Sequence, residues 1–347
     1  MDVEYIALDD ADEFITQGRI LDIGKRYILV SNWGFACIGN IFVFDRKTGE
    51  GLRIINRRGQ GGEEYTRVGG AILDEDNGEI FVRDSETRRI LVYDLYGNFR
   101  RRFNFIGDTG SYVYIFNYDQ DNFLVYKAFP FYPISESTPS SFLIISKQDG
   151  SLVREIYIPT EEFRTPIIVS YRNRRPFFTS FPYPAIIPYR DGWALMQASS
   201  DTIYHLSNGD LIPLIARTPS IHSMRTELFL FPSILTDRYY FMQIHRSALQ
   251  SSDRMIMYPR INLMYDRQES AVFRVTVYND DFSNRRSVGL DIWLPIINHE
   301  VAFFERFEAY QLIEAYENGE LRGRLKEVAS KLNEDSNPVI MLVTHRR

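Results

Sequence analysis

Two stretches of the chain concentrate arginines, aromatic rings and glycines, side chains that hold ligands by contact rather than by making bonds. Tyr171-Arg-Asn-Arg-Arg-Pro-Phe-Phe-Thr-Ser-Phe-Pro-Tyr-Pro184 sets Arg172, Arg174 and Arg175 beside Phe177, Phe178, Phe181 and Tyr183. Exposed rings with guanidinium forks suit sugar faces, peptides or an acidic partner. Phe131 and Tyr132, in Phe129-Pro-Phe-Tyr-Pro133, would extend the same rim. The structural alternative is that these rings fold back on the scaffold and leave the arginines solvated. The second stretch, Arg57-Arg-Gly-Gln-Gly-Gly-Glu-Glu-Tyr65, offers Arg58, Gln60, Glu63 and Tyr65. Glycines let backbone N–H groups converge on an anion and Arg adds a bidentate fork. The spacing is not that of a Rossmann or P-loop fingerprint, and no helical pattern follows. Here the structural alternative is favoured: a crossover loop shaped by its glycines, with Glu63 or Glu64 pairing an arginine and Tyr65 packing.

Bond-making chemistry finds little support. The histidines (205, 222, 245, 299 and 345) show neither H-x-x-x-H spacing nor an H-E-x-x-H motif. His222 and His245 fall near polar loops, where a catalytic or metal role is conceivable but an ordinary surface or core histidine is favoured. No G-x-S-x-G nucleophile elbow occurs. Cys37 is alone, which excludes an intrachain disulfide and a multi-thiolate zinc site, and reads as a small buried apolar residue. No cofactor is expected. A net charge of −6 argues against a general nucleic-acid surface. No run of 18 apolar residues is present, so no transmembrane helix is expected, and the start lacks the basic and apolar regions of a signal peptide.

The elements that must position these residues are strands. Aromatics make up 14% of the chain, with 22 Tyr and 25 Phe, and flat rings favour pleated surfaces. Between Ile54 and Phe103 the runs Glu79–Arg83 and Arg89–Tyr93 flank the turn Asp84-Ser-Glu-Thr87, and Asp94–Asn98 turns into Phe99–Phe103. Alternating apolar residues broken by Asp, Asn and Gly turns describe successive antiparallel strands, one blade of a β-propeller. Asp84 and Arg89 are expected to cap that hairpin and pair with each other. A similar strand and turn recurs at Ile41–Asp45, Ile90–Asp94, Phe142–Ser146, Thr202–Leu206, more weakly at Val272–Tyr278, and at Val339–Thr344. Six such units at roughly blade length, about 40–50 residues plus insertions, use the whole chain. The recurring strand should sit third in each four-stranded blade.

The fold class expected is therefore all-β: a single six-bladed β-propeller over 1–347. Val3–Leu8 should pair with 338–344 to close the ring, removing exposed sheet edges. Residues 129–133 and 172–189 are too rich in proline for regular ladder strands. Helical spacing of apolar residues predicts a small helical insertion at about 305–333, near the C-terminus.

Val82-Arg-Asp-Ser-Glu-Thr-Arg-Arg-Ile-Leu-Val-Tyr-Asp-Leu-Tyr-Gly-Asn-Phe99 resembles an NHL-type propeller repeat. With Arg58–Tyr65 before it and Asn337-Pro-Val339 near the end, the chain resembles the six-bladed β-propeller proteins common in Bacteroides and relatives. Those carry a G-x-G-P-G-E-[YF]-like loop; here Gly62 stands where proline is usual, with one extra residue before Tyr65. The likeness covers about residues 50–105 and 325–345. It implies export, usually as a lipoprotein whose leader would have preceded this chain, hence the periplasm or cell surface, with the cytoplasm as the alternative. It implies no particular activity. On this reading the protein is a non-catalytic module of the cell envelope, binding a glycan, peptide or protein through its loop-rich face. The alternative is a metal-assisted propeller hydrolase or lyase. Calcium-dependent propeller lactonases gather Glu, Asn, Asn and Asp on the axis, and Glu64, Asn117, Asn173 and Asp237 are the residues to test for such a set.

Overall fold

The computed structural model describes residues 2–345 apart from 33, 35–37, 105–112, 128–140, 161, 163, 173–174, 181–182, 227, 247, 251–254, 257–259 and 291–297. At 113, 127, 141, 167–172, 175–180, 248–250 and 255–256 it describes the backbone only. After β1 (Asp2–Ala7) comes the first blade: β2 (Arg19–Ile23), β3 (Tyr27–Ser31), β4 (Ile41–Asp45) and β5 (Gly51–Ile55). Blade 2 is β6 (Val68–Asp74), β7 (Glu79–Asp84), β8 (Arg89–Asp94) and β9 (Phe99–Asn104). Blade 3 is β10 (Val113–Asn117), β11 (Asn122–Lys127), β12 (Ser141–Ser146) and β13 (Leu152–Ile156). A hairpin, β14 (Ile167–Arg172) and β15 (Arg175–Ser180), precedes blade 4: β16 (Ile186–Tyr189), β17 (Gly192–Leu195), β18 (Thr202–Ser207) and β19 (Asp210–Ala216). Blade 5 takes β20 (Leu228–Leu235), β21 (Tyr239–Arg246), then β24 (Ile261–Asp266) and β25 (Ala271–Arg274). Between them β22 (Ala248–Gln250) and β23 (Met255–Ile256) leave the blade and join the earlier hairpin in a four-stranded sheet ordered β15-β14-β22-β23. The described strands of blade 6 are β26 (Val301–Phe307), β27 (Val339–Thr344) and β1. The six antiparallel sheets form the ring of a six-bladed β-propeller.

Two features depart from the sequence expectation. The third strand of blade 5 is β24, not the weaker repeat at 272–278, which begins in the outermost strand. Its turn is inconspicuous because Ser270, rather than Gly or Asn, takes the left-handed conformation (φ 51°). Proline also fails to exclude strands from 172–189. Pro176 lies in β15 and Pro188 in β16, both edge strands of their sheets, where a missing N–H on the free side breaks no ladder bond.

Adjacent blades meet through side chains, and the period of two sorts those side chains between neighbours. Ile28, Val30, Phe42 and Phe44 face blade 6 and pack with Phe304, Ile340 and Leu342. Leu29, Ile41 and Val43 alternate with them and face blade 2, meeting Ile80, Val82 and Leu91. On the far side of blade 2, Phe81 meets Phe123 of blade 3 edge to face, with centroids 4.7 Å apart. Blades radiate from an axis, so the gap between their faces widens outward. Large rings such as Phe42, Phe44, Tyr93 and Phe142 fill it on the third strands, while β6 begins with Val68-Gly-Gly-Ala71 beside the axis. α1 (Ala309–Glu317) and α2 (Gly323–Ala329) connect β26 to β27, and Leu312, Ala315, Leu325 and Ala329 pack with Phe282, Phe307 and Leu321.

Closure of the ring is covalently discontinuous. β1 pairs antiparallel with β27, Asp2 opposite Thr344 and Ala7 opposite Val339. Asn337, buried just before β27, locks the segment that follows β1: its Oδ1 accepts from Thr16 N (2.8 Å), and its Nδ2 donates to Asp9 O (2.6 Å) and Phe14 O (2.9 Å). Asn337→Ala strands three backbone groups of that segment. It is expected to cost about 3 kcal/mol in urea denaturation, and a loss under about 1 kcal/mol would show that the clamp is not a closing element.

Candidate functional site

First strands of neighbouring blades pack side by side around the axis (β2 with β6, β6 with β10, β16 with β20) without ladder hydrogen bonds between them. Among the described residues, side chains bridge their backbones instead. Asn298 Nδ2 donates to Ile23 O (2.6 Å), Asp22 Oδ2 accepts from Leu73 N (2.7 Å), and Asn117 Nδ2 donates to Leu73 O (2.8 Å). These bonds run from blade 6 through blades 1 and 2 to blade 3. They leave an axial channel of about 1030 Å³.

The channel walls are β2, β6 and β10, completed by Trp193 and by Asn298, His299 and Glu300. Ile20, Ile72, Tyr114 and Phe116 give an apolar middle, and Trp193 packs on Phe116 (5.3 Å) and against His299 (4.7 Å). Where the first strands end, the rim is acidic and mostly committed. Lys147, buried, bonds Asp74 Oδ2 (2.7 Å) and Asp119 O (2.7 Å); Glu75 accepts from the backbone N–H groups of Lys25, Arg26 and Tyr27; Glu300 pairs with Arg46 (3.2 Å). Asp22 is pushed up to about 6 by burial, against the N–H bonds from Leu73 and Ile23 and with help from the Glu75 charge. Buried Asn117 Oδ1 has no hydrogen-bond partner among the described residues. Where the first strands begin, the wall is cationic: Arg19 and Arg83 line it beside Gly69 and Gly70.

The residues singled out from sequence lie elsewhere. The 57–65 loop is the crossover between blades 1 and 2. Tyr65 is fully buried, its hydroxyl donating to Gly39 O (2.7 Å) and accepting from Arg57 N (2.9 Å). Arg58, Gln60 and Glu63 are exposed, and Glu63 offers its carbonyl to the Tyr93 hydroxyl (2.7 Å). Glu64 caps Gly61 N (2.8 Å) instead of pairing an arginine. Nor does Asp84 pair with Arg89, which is exposed. Asp84 is buried and takes N–H bonds from Thr66, Arg67 and Glu86 and the Thr87 hydroxyl, so it ties the crossover to the β7–β8 turn. Burial pushes its carboxyl up, and these donors together hold it below the usual carboxylate range.

Arg172, Arg175 and Phe178 lie on the β14–β15 hairpin, described as backbone only, while Phe131, Tyr132, Asn173 and Arg174 lie outside the described residues. Tyr183 is a core residue, not a rim ring: it is 6% exposed, stacks on Phe231 (5.0 Å) and shares a hydrogen bond with the Tyr126 hydroxyl (2.5 Å). Of the described residues considered for a calcium set, Asn117 lines the channel; Glu64 is in the crossover and Asp237 is exposed in the β20–β21 turn, bonded to Arg190 (3.0 Å). No three His, Cys, Asp or Glu side chains cluster as a metal site among the described residues. His245 is buried against Phe231 and bonded to Gln243 Oε1 (3.1 Å); burial, then the Arg260 charge, lowers its pKa to about 4, so it is neutral near pH 7. His222 Nε2 contacts Ser199 O (3.0 Å). Sequence reasoning missed Arg19, Asp22 and Arg83 because they are far apart in the chain and form no motif. The signal available was Gly69-Gly70 inside an apolar strand, a mark of close approach to the backbone.

A family model described as a domain of unknown function, DUF4934, matches residues 1–344. Among solved structures, a Bacteroides fragilis protein provisionally described as exported matches with a TM-score of 0.60 at 14% identity, covering 98% of this chain and 94% of that one. A member of the DUF4221 family from Bacteroides vulgatus matches at 0.43 and 12% identity, covering 81% and 90%. No curated protein matches the chain. The resemblance to six-bladed propellers of Bacteroides is thereby borne out at the level of family and fold.

Asp22 gives the channel a pH signature. Folded, it keeps its proton to about pH 6, whereas an unfolded aspartate loses it near pH 4. The native state therefore binds the extra proton between those values, and stability falls as pH rises through that window. Asp22→Asn is expected to remove a slope worth about 2 kcal/mol between pH 4 and 6 in chemical denaturation; an unchanged slope would show that the carboxyl titrates normally.

Proposed function

Since the chain belongs to the DUF4934 family, a description that assigns no activity, we propose from the geometry of the axis that it is a non-catalytic binding propeller of the cell envelope that holds a small ligand in its axial channel. The observation that carries this reading is the channel itself: about 1030 Å³, with an aromatic middle between two polar rims of opposite sign. Such a cavity matches the usual volume of ligand sites, and its composition, apolar walls with a few placed polar groups, is theirs as well. Asn117 Oδ1 adds a buried acceptor suited to a ligand hydroxyl or N–H. A short glycan or peptide fits this combination, since ring faces and hydrogen-bonding edges are both met. The β14-β15-β22-β23 sheet stands in connections that open on the end of the ring where the first strands begin, and a larger partner would be met there. Export is proposed by analogy with the Bacteroides fragilis protein of the same fold.

Gly70 lines the channel, and a Cβ there would make only ordinary contact with Arg83, at 3.8 Å. Gly70→Trp should therefore fill the channel without unfolding the blade. In glycan- and peptide-array screening followed by calorimetry, a ligand of the wild type is expected to bind at least about tenfold more weakly to Gly70→Trp, with the melting temperature nearly preserved. Undiminished binding by the filled channel would place the ligand elsewhere and end this reading.

A further inference from the structure

The cationic end of the channel narrows to a neck. Arg19 Nη2 and Arg83 Nη2 both donate to Gly69 O, at 3.0 and 3.2 Å, so two guanidiniums meet at one carbonyl. A Cβ on Gly69 would lie 3.4 Å from Arg83 Nε and 3.0 Å from Ser85 Cβ, so a larger residue there would crowd the neck. Arg19, Gly69 and Arg83 belong at once to the channel and to a second cavity of about 380 Å³ outside it, which adds Arg67 and Ser85. Glu86, the one carboxylate among the described residues lining that outer cavity, pairs with Arg67 at 3.4 Å. Burial, and next the charge of Arg19, pull the pKa of Arg83 below its ordinary value, the direction expected where like charges are held together in a poorly solvated wall. A negative group at the neck would relieve that repulsion, and guanidinium forks favour carboxylate, sulfate and phosphate by geometry.

We infer that Arg19 and Arg83 form an oxyanion site at the neck, so that the ligand of the channel is acidic: it carries a carboxylate, sulfate or phosphate at the end that lodges beside Gly69. This rests on the axial channel being the ligand site, and it narrows the ligand class from any short glycan or peptide to an anionic one. Crowding glycines at the wall serve the same end, since Gly69 and Gly70 keep side chains from the space a ligand oxyanion would take.

The test is calorimetric titration of the full chain with acetate, glucuronate, sulfate and phosphate at matched ionic strength. One or more should bind saturably with unit stoichiometry, and the preferred probe separates a carboxylate ligand from a sulfate or phosphate ester. Arg19→Gln and Arg83→Gln should each weaken that binding at least about tenfold, while Arg67→Gln, which does not reach Gly69 O, should change it less than about threefold. If Arg83→Gln lowers the melting temperature markedly, Arg19→Gln carries the comparison. Saturable binding that survives both neck substitutions overturns the assignment. So does finding a neutral oligosaccharide or peptide whose binding Gly70→Trp abolishes while none of the four anions binds; in that case the channel reading stands without the oxyanion site. Binding of neither class overturns both.

Discussion

Pairing of β1 with β27 places both ends of the chain inside one blade, and every other contact in the ring depends on it. Five blades are continuous in sequence or interrupted only by an excursion, and among the described residues each meets its neighbours through packed side chains and side-chain hydrogen bonds rather than a ladder. Such a stack is open unless its last sheet borrows a strand from before the first blade. Asn337 makes the borrowed strand specific, because its amide satisfies both an N–H and two carbonyls of the segment that leads from β1 into blade 1. Gly49 marks the tightness of the same seam: a Cβ there would stand 1.9 Å from Ala7 O. With the ring closed, the inner strands are pressed around the axis, and the channel has a fixed bore.

How much of this was readable in the sequence depends on where a strand sits in its blade. Third strands at 41, 90 and 142 announce themselves because each is buried on both faces, and these three, like the half-buried strand at 202, end in a turn built on Asp, Ser, Asn or Gly. β24 escaped because Ser270 does the work of a glycine there. First strands are the least legible. They face the axis on one edge, so they tolerate Arg19, Asp22, Gly69 and Gly70 in place of an alternating apolar pattern, and Pro188 besides. The candidate site is built almost entirely from these strands, which is why fold was legible and site was not. Residues that drew attention by type, such as Tyr65, Asp84 and Tyr183, turned out to satisfy buried backbone or hydroxyl groups in the scaffold.

The two rims of the channel differ for a physical reason. At the ends of the first strands the turns are tight, and carboxylates there are consumed by turn N–H groups and by the buried lysine, as with Glu75 and the Asp74–Lys147 pair. At their starts the connections are crossovers and long loops, and the side chains gathered there are basic. A ring of nearly identical sheets thus acquires a polarity along its axis from the chemistry of its connections, not from its strands.

The seam between β1 and β27 also bears on how the chain is made. Residues 2–7 are synthesised long before their partner at 339–344, which emerges only after all the described blades between. Through that interval β1 is a strand without a sheet, and its alternation of Asp2 and Glu4 with Val3 and Tyr5 keeps charge on one side of a segment that would otherwise invite wrong pairings. A closing hydrogen-bond ladder that joins residues 2–7 to 339–344 keeps the ring incompletely folded until that late segment has been made.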